Sequence, residues 1–419
     1  MDYRKREENR SDGFLCGTNF EISYDTCMNI SLGIPGNDTL HKVSKMVRTA
    51  SQYCLNEEEM SGNCALFQYG PPAGPLSTRM ELSKFLAEAY GGRVYSADIF
   101  LTNGASAGLH YILSSLLEFD GYIFVDEAVF MLAFGIIKQF SGLKIVSLKI
   151  TSEGCDLEDF EKKLKNLKRS QPKSKMFSVA YYTSTVFNNP TGITFSKRIC
   201  KGLIELSRKY DFLIISDDVY NIYTYKGPVA KRLFSYDEIE DEDYKGNVLS
   251  NGTFSKYIAP GMRIGWIEAP PRIKEAMTYC GLPESSGGLN QFTMAIVKGM
   301  LRLGLAQDHI KNVKEFLGER MKVAINTLNE HLPQGCSFNE PIGGFFIWIT
   351  LPEGKSAKQL LPLAKEKYNV FYLCGDVFRA SSESKFENCL RVSISYYPKE
   401  KIAIGLRSLC EAIREYVRM

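Results

Sequence analysis

The stretch Ser250-Asn251-Gly252-Thr253-Phe254-Ser255-Lys256-Tyr257-Ile258-Ala259-Pro260-Gly261-Met262-Arg263-Ile264-Gly265-Trp266 decides how this chain is read. A short strand-like run leads to two hydroxyl side chains, Thr253 and Ser255, and then to Lys256. Arg263 follows seven residues later, just past the Pro260-Gly261 turn. A lysine whose amine must form a Schiff base needs a fixed position and a lowered pKa. Hydroxyls and a guanidinium at its flanks suit a phosphate. A lysine behind a hydroxyl residue is common, however, and most such lysines are solvated, so the weight falls on the rest of the chain.

Working outward, strands and helices alternate from about residue 97. Strands are predicted at Asp98–Thr102, Tyr122–Val125, Lys144–Ile150, Met176–Tyr182, Phe212–Ser216, Asn247–Ser250 and Met262–Glu268. Between them, Ser106 to Phe119 carries apolar residues at helical spacing, Ala128 to Ile137 is an apolar helix, and Leu157 to Leu167 is amphipathic. Ser196 caps a helix that runs to about Tyr210. Short buried strands alternating with helices imply an α/β fold, a mostly parallel sheet covered on both faces. A long helix over about Leu303 to Leu332 leads into a last hundred residues with a different pattern, including strands at Gly343–Ile349 and Leu390–Ser395. The first sixty residues form no evident domain and are expected to pack with that C-terminal part.

In such sheets ligands collect where strands end and helices begin. Thr102-Asn103-Gly104-Ala105-Ser106-Ala107-Gly108 is one such junction, where small residues let a phosphate approach free helix N–H groups. An ordinary capped turn accounts for it equally. Asn188-Asn189-Pro190-Thr191-Gly192 can aim an amide at a ligand, and is also a good turn in its own right. Asp217-Asp218-Val219-Tyr220 ends the apolar strand at Phe212–Ser216. A carboxylate there is costly unless it meets a positive partner; a helix N-cap is the plainer reading. Asp217 is the better ligand candidate, being nearer the strand, and Asp218 the structural one. Asn388 to Ser395 places Arg391 inside an apolar strand, where it needs an anion: a substrate carboxylate or an internal Asp or Glu.

Composition narrows the class. The 419 residues are 44% hydrophobic and 24% charged with a net charge of +3, which argues for neither nucleic acid nor a membrane surface. Eleven dispersed cysteines, with no Cys-x-x-Cys, suit reduced thiols in a cytoplasmic protein. Four scattered histidines show no metal-ligand spacing, and no metal is expected. Acidic residues Asp2, Glu7, Glu8 and Asp12 argue against a targeting leader, and the longest apolar run, Ala128 to Ile137, is too short to span a bilayer.

Taken in order, the Gly-Ala-Ser junction, Asn-Pro-Thr-Gly, Asp-x-x-Tyr, Ser-Lys with its arginine, and the late strand arginine resemble the aminotransferases of class I/II. Those enzymes depend on pyridoxal phosphate (PLP) and have fold type I. The resemblance extends from about Ile30 to the C-terminus and is nearest the kynurenine/2-aminoadipate branch. It implies a large domain with a mostly parallel mixed sheet covered by helices, spanning residues 61–310. A small α/β domain would be built from residues 311–419, with residues 1–60 packed against it.

The resemblance also implies roles. Lys256 is the Schiff-base lysine, and its freed amine the general base and acid of a 1,3-proton shift. Asp217 keeps the pyridine nitrogen protonated, while Asn189 and Tyr220 contact the ring oxygen. Ala105, Ser106, Ser255 and Arg263 hold the phosphate, and Tyr69 reaches that of the neighbouring subunit, so a homodimer is expected. Arg391 clamps the substrate α-carboxylate near the Gly33 backbone. Phe130 stacks on the ring where relatives usually carry tyrosine, in a segment, Asp126 to Phe130, that departs from the family's Glu-x-Pro-Thr-Tyr. Tyr24, Phe130 and Phe378 permit aromatic or long-chain substrates. The expected reaction moves an amino group between an L-amino acid, aromatic, 2-aminoadipate-like or similar, and a 2-oxo acid. The same site could support β-elimination, and a non-catalytic amine-binding module is the remaining alternative.

Overall fold

Seven strands make the central sheet: β1 (Ile99–Thr102), β2 (Leu117–Asp126), β3 (Lys144–Leu148), β4 (Phe177–Thr183), β5 (Leu213–Asp217), β6 (Val248–Thr253) and β7 (Gly265–Glu268). The computed structural model describes residues 27–168, 174–286 and 290–419. Across the sheet the order is β1-β7-β6-β5-β4-β2-β3. Only β7 runs against its neighbours, pairing antiparallel with both β6 and β1. Strands β1, β5 and β6 are buried at every position, as expected of strands covered on both faces.

The helices around this sheet and in the C-terminal part include α1 (Val43–Ser61), α2 (Leu76–Tyr90), α3 (Ala105–Leu116), α4 (Met131–Ile137), α5 (Leu157–Lys165), α6 (Lys197–Tyr210), α7 (Gln291–Arg302), α8 (Leu305–His331) and α9 (Lys399–Arg418). Alternation along the strands sorts their side chains between two cores. Leu213, Ile215, Val125 and Tyr182 pack with Leu109, Ile112 and Phe134 of α3 and α4. Ile214, Phe124 and Tyr181 pack with Phe160, Ile199 and Leu203 of α5 and α6. Ser196 starts α6 as predicted, its Oγ accepting from Ile199 N at 3.4 Å.

A second, antiparallel sheet holds β8 (Ser337–Phe338), β9 (Phe346–Thr350), β10 (Leu373–Cys374) and β11 (Cys389–Ser393) in the order β8-β9-β11-β10. The described N-terminal segment divides. Met28 and Asn29 pair in parallel with Val370 and Phe371, and Ser393 N donates to Ile30 O at 2.7 Å. Helix α1 lies instead against α7, where Cys54 Sγ donates to Ala295 O at 3.0 Å and Gly299 leaves room for Cys54.

Some element boundaries differ from the sequence reading. Helix α3 stops at Leu116, and the chain enters β2 directly at Leu117. Leu117 already pairs with Phe177, and the register then shifts before Tyr122. The apolar run from Ala128 begins as extended chain, because Val129 N donates to Phe378 O and Ala128 bridges Arg379; the helix starts only at Met131. Residues Pro260–Met262 form a 3-10 turn, so β7 begins at Gly265. Among the described residues no helix is long and apolar enough to cross a membrane.

Candidate active site

The carboxyl ends of β4, β5 and β6 open into a cavity of about 700 Å³. Its wall takes in Ala105, Ser106, Phe130, Asn189, Asp217, Tyr220, Ser255, Lys256 and Arg263, all expected there from the sequence. Gly33 and Arg391 reach it through direct partners. Lys256 Nζ donates to Gly33 O at 2.8 Å, and Arg391 Nη1 donates to Asn189 Oδ1 at 2.7 Å. Tyr69 is not in this wall; its side chain is exposed. Tyr24 lies outside the described residues.

Lys256 follows β6 on the turn closed by Ile258 N to Phe254 O at 2.8 Å. Burial pulls its amine down to about 8. Arg391 and Arg263 push the same way, while Asp217 opposes them. A lysine near neutrality can hold or release a proton under ordinary conditions.

Asp217 continues the Leu213, Ile215 face of β5 and so points to the α3 side of the sheet. Its Oδ2 accepts from Tyr182 Oη at 2.7 Å. Burial pushes its carboxyl up to about 6, and the adjacent Asp218 adds to this; Tyr182 and Lys256 act against it. Asp218 is occupied elsewhere, accepting from Ser216 Oγ, Asn221 Nδ2 and Ser250 Oγ.

At the start of α3 the donors gather. The first helical hydrogen bond there runs from Gly108 N to Gly104 O, leaving the amides of Ala105 and Ser106 ahead of it. Arg263 is held over this end by Nη1 bonds to Pro260 O at 3.0 Å and Ser255 Oγ at 3.4 Å, and by Nη2 to Asn103 O at 3.3 Å. Gly104 has φ +91°, and a Cβ on it would lie 2.9 Å from Arg263 Nη2. Helix amides, a hydroxyl and a guanidinium with no carboxylate among them fit a phosphate monoester.

Arg391 is buried on β11, between Trp348 and Leu373 in the register. Its Nη2 donates to Ser31 O at 2.8 Å. Its Nε is buried without a partner, and among the described residues no Asp or Glu forms an ion pair with it. The internal-carboxylate alternative is thereby removed: the guanidinium has amide and carbonyl oxygens but no counter-charge. Burial lowers its pKa, yet an arginine keeps its proton.

Several contributors escape a reading of the sequence. Tyr182 supports Asp217 only because β4 and β5 are neighbours. Asn251 Nδ2 ties β6 to Ala105 O at 2.9 Å. Asp126 also lines the cavity; it accepts from Tyr181 Oη at 2.6 Å and Thr183 Oγ1 at 2.9 Å, and burial raises it to about 7. The alternation Tyr181-Tyr182-Thr183 was the available signal, since it presents hydroxyls to both faces of one strand end. Among the described residues no group of three or more His, Cys, Asp or Glu side chains is placed to hold a metal ion.

Known proteins share this geometry. The model of the family "Aminotransferase class I and II" matches residues 25–409. An aromatic-amino-acid aminotransferase of Thermococcus litoralis is 32% identical over 358 residues, covering 84% of this chain and 81% of that protein. The kynurenine aminotransferase of Pyrococcus horikoshii, solved in complex with PMP, superposes with a TM-score of 0.80 at 28% identity, over 99% of this chain and 95% of that one. A multiple substrate aminotransferase from Thermococcus profundus superposes with a TM-score of 0.81 at 27% identity, over 100% and 96%. This chain belongs to the aminotransferases of class I and II, which use pyridoxal phosphate to move an amino group between an amino acid and a 2-oxo acid.

Proposed function

We propose that this aminotransferase takes L-amino acids with aromatic or long apolar side chains, and that the residues gathered at the cavity carry the reaction. The observation that carries the reading is the convergence of Lys256, Asp217 and an uncompensated Arg391 beside a wall of Ile34, Val129, Leu132, Ala133 and Ile136. The cations in that wall are Lys256 and Arg263, so among the described residues lining it no further positive group is offered to a second substrate carboxylate.

Pyridoxal phosphate, when bound, supplies the electron sink for the bond broken at the substrate Cα. Ala105, Ser106, Ser255 and Arg263 would hold its phosphate, Asp217 its ring nitrogen, Asn189 and Tyr220 its ring oxygen, and Phe130 its ring face. Arg391 takes the substrate α-carboxylate, with the Gly33 backbone beside it. Lys256 Nζ then takes up and returns the proton that moves from Cα, a task suited to an amine near neutrality. The apolar wall excludes water from that exchange.

The functional unit is a homodimer, with Tyr69 reaching the phosphate of the other subunit. Its support is the exposure of Tyr69 and of Phe67, which stacks on Phe292 at 6.3 Å. Residues 61–310 form the cofactor-holding domain and 311–419 the small one, joined by the early segment that pairs Met28 with Val370. The described cysteines other than Cys27 are free thiols, which supports a cytoplasmic location.

The test is the visible spectrum of the purified enzyme before and after a panel of amino acids. A cofactor band that converts to the pyridoxamine form fastest with phenylalanine, tyrosine or other long apolar substrates supports the reading. Fastest conversion by aspartate or glutamate overturns the substrate class.

A further inference from the structure

We propose that Phe346 and Phe378 are the positioning residues that hold the Arg391 guanidinium for its substrate, in the place where a protein carboxylate would otherwise be needed. The Arg391 guanidinium carbon lies 4.0 Å from the centroid of the Phe346 ring and 4.9 Å from that of Phe378. Both rings are buried. A buried cation requires stabilisation, and a carboxylate would supply it at a cost: it would neutralise the charge and occupy the N–H groups a substrate must bind. An aromatic ring attracts the cation through its quadrupole and takes none of those donors. The unpartnered Nε is consistent with donors kept in reserve.

Each ring is itself fixed, and each fixing contact leads to another part of the site. Phe346 packs against Gly33, where a Cβ would lie 2.6 Å from Phe346 Cζ, and meets the Tyr220 ring edge-on at 5.6 Å. Gly33 O is the acceptor of Lys256 Nζ. Phe378 meets Trp348 edge-on at 5.8 Å, and its carbonyl accepts from Val129 N at 2.9 Å, beside Phe130. The two rings therefore tie the guanidinium to the lysine segment and to the ring-facing segment at once. Leucine in either position would keep much of the volume and lose the quadrupole.

This inference rests on Arg391 being the carboxylate clamp, so the experiment separates the two. In the cofactor-loaded enzyme, dissociation constants are measured by calorimetry for 3-phenylpropanoate and for 3-phenylpropanamide, which has the same shape without the charge. Phe346→Leu and Phe378→Leu are expected to weaken the carboxylate about tenfold and leave the amide unchanged, while Phe378→Tyr retains the wild-type preference. Phe346→Met and Phe378→Met serve where a leucine variant does not retain its cofactor absorbance. Equal weakening of both probes, or of neither, overturns the proposal. Arg391→Gln is the control: if it leaves the preference for the carboxylate intact, the clamp is elsewhere and the underlying reading falls. If it abolishes that preference while the ring variants keep it, only the role of the two rings is refuted.

Discussion

Lys256 Nζ reaches across 223 positions of sequence to the carbonyl of Gly33, 2.8 Å away. The amine proposed to carry the proton is thus held by a backbone oxygen and not by a carboxylate. Such a bond orients it without adding a negative charge, which would raise its pKa.

Lys256→Ala should leave the fold intact and abolish transamination, with a loss of at least ~10³-fold, since both the attachment point and the proton carrier go. Steady-state turnover with phenylalanine and a monocarboxylic 2-oxo acid, 4-methyl-2-oxopentanoate, checks this. Normal turnover would refute the mechanism.

Arg391→Gln removes charge-assisted bonds to the substrate carboxylate. The KM for the amino acid should rise about ten- to a hundredfold, with a smaller change in kcat. An unchanged KM in initial-rate kinetics would place the clamp elsewhere.

Asp217→Asn keeps an acceptor for Tyr182 but loses the charge, and turnover should fall by about 10²-fold or more. Its effect on the cofactor-free protein has the opposite sign. Asp217 is raised from 3.8 to about 6, so between those values the folded chain holds a proton that the unfolded chain gives up. The stability from this group is full below about pH 4 and is lost as pH rises through about 6. At pH 8 the variant should therefore be more stable than the wild type by roughly 2–3 kcal/mol, and the gap should close near pH 4. Denaturant unfolding at the two pH values measures it.

Gly104→Ala places a methyl 2.9 Å from Arg263 Nη2 on a backbone with φ +91°. The guanidinium must shift off its place above α3. With ψ 164° this backbone lies in a region that essentially only glycine adopts, at a cost of about 1–3 kcal/mol to other residues, and with the guanidinium displaced the dissociation constant for pyridoxal phosphate should rise about tenfold or more. Titration of the cofactor-free protein by absorbance reads it directly.

The range of the forces involved decides which parts of the site were legible in the sequence. Asp217 was legible because an acid at the end of a continuous apolar strand must either meet a positive partner or cap a helix, and β5 is buried throughout. Its support by Tyr182 was not, because strand order is a tertiary fact. Arg391 was legible as a buried cation but not as one without a counter-charge, since any of the chain's 48 acidic residues could have met it. Phe346 read only as an apolar strand position and Phe378 only as an aromatic beside the substrate until their distance to the guanidinium was known. The break between α3 and β2 was missed because Leu116 and Leu117 suit either element, and only pairing with Phe177 decides.

The proposed carboxylate clamp joins Ser31, Asn189 and Arg391, and Arg391 lies 360 positions after Ser31. A ribosome delivers these residues in order. The residues proposed for the phosphate, and Lys256, can come together once β7 has emerged at Glu268 and joined β1 to β6, while Ser31 must wait for a strand made more than a hundred residues later. During synthesis the nascent chain thus has every residue of its own that is proposed to hold the cofactor well before it has the one proposed to recognise an amino acid, so that on this reading the capacity to choose a substrate is among the last it acquires.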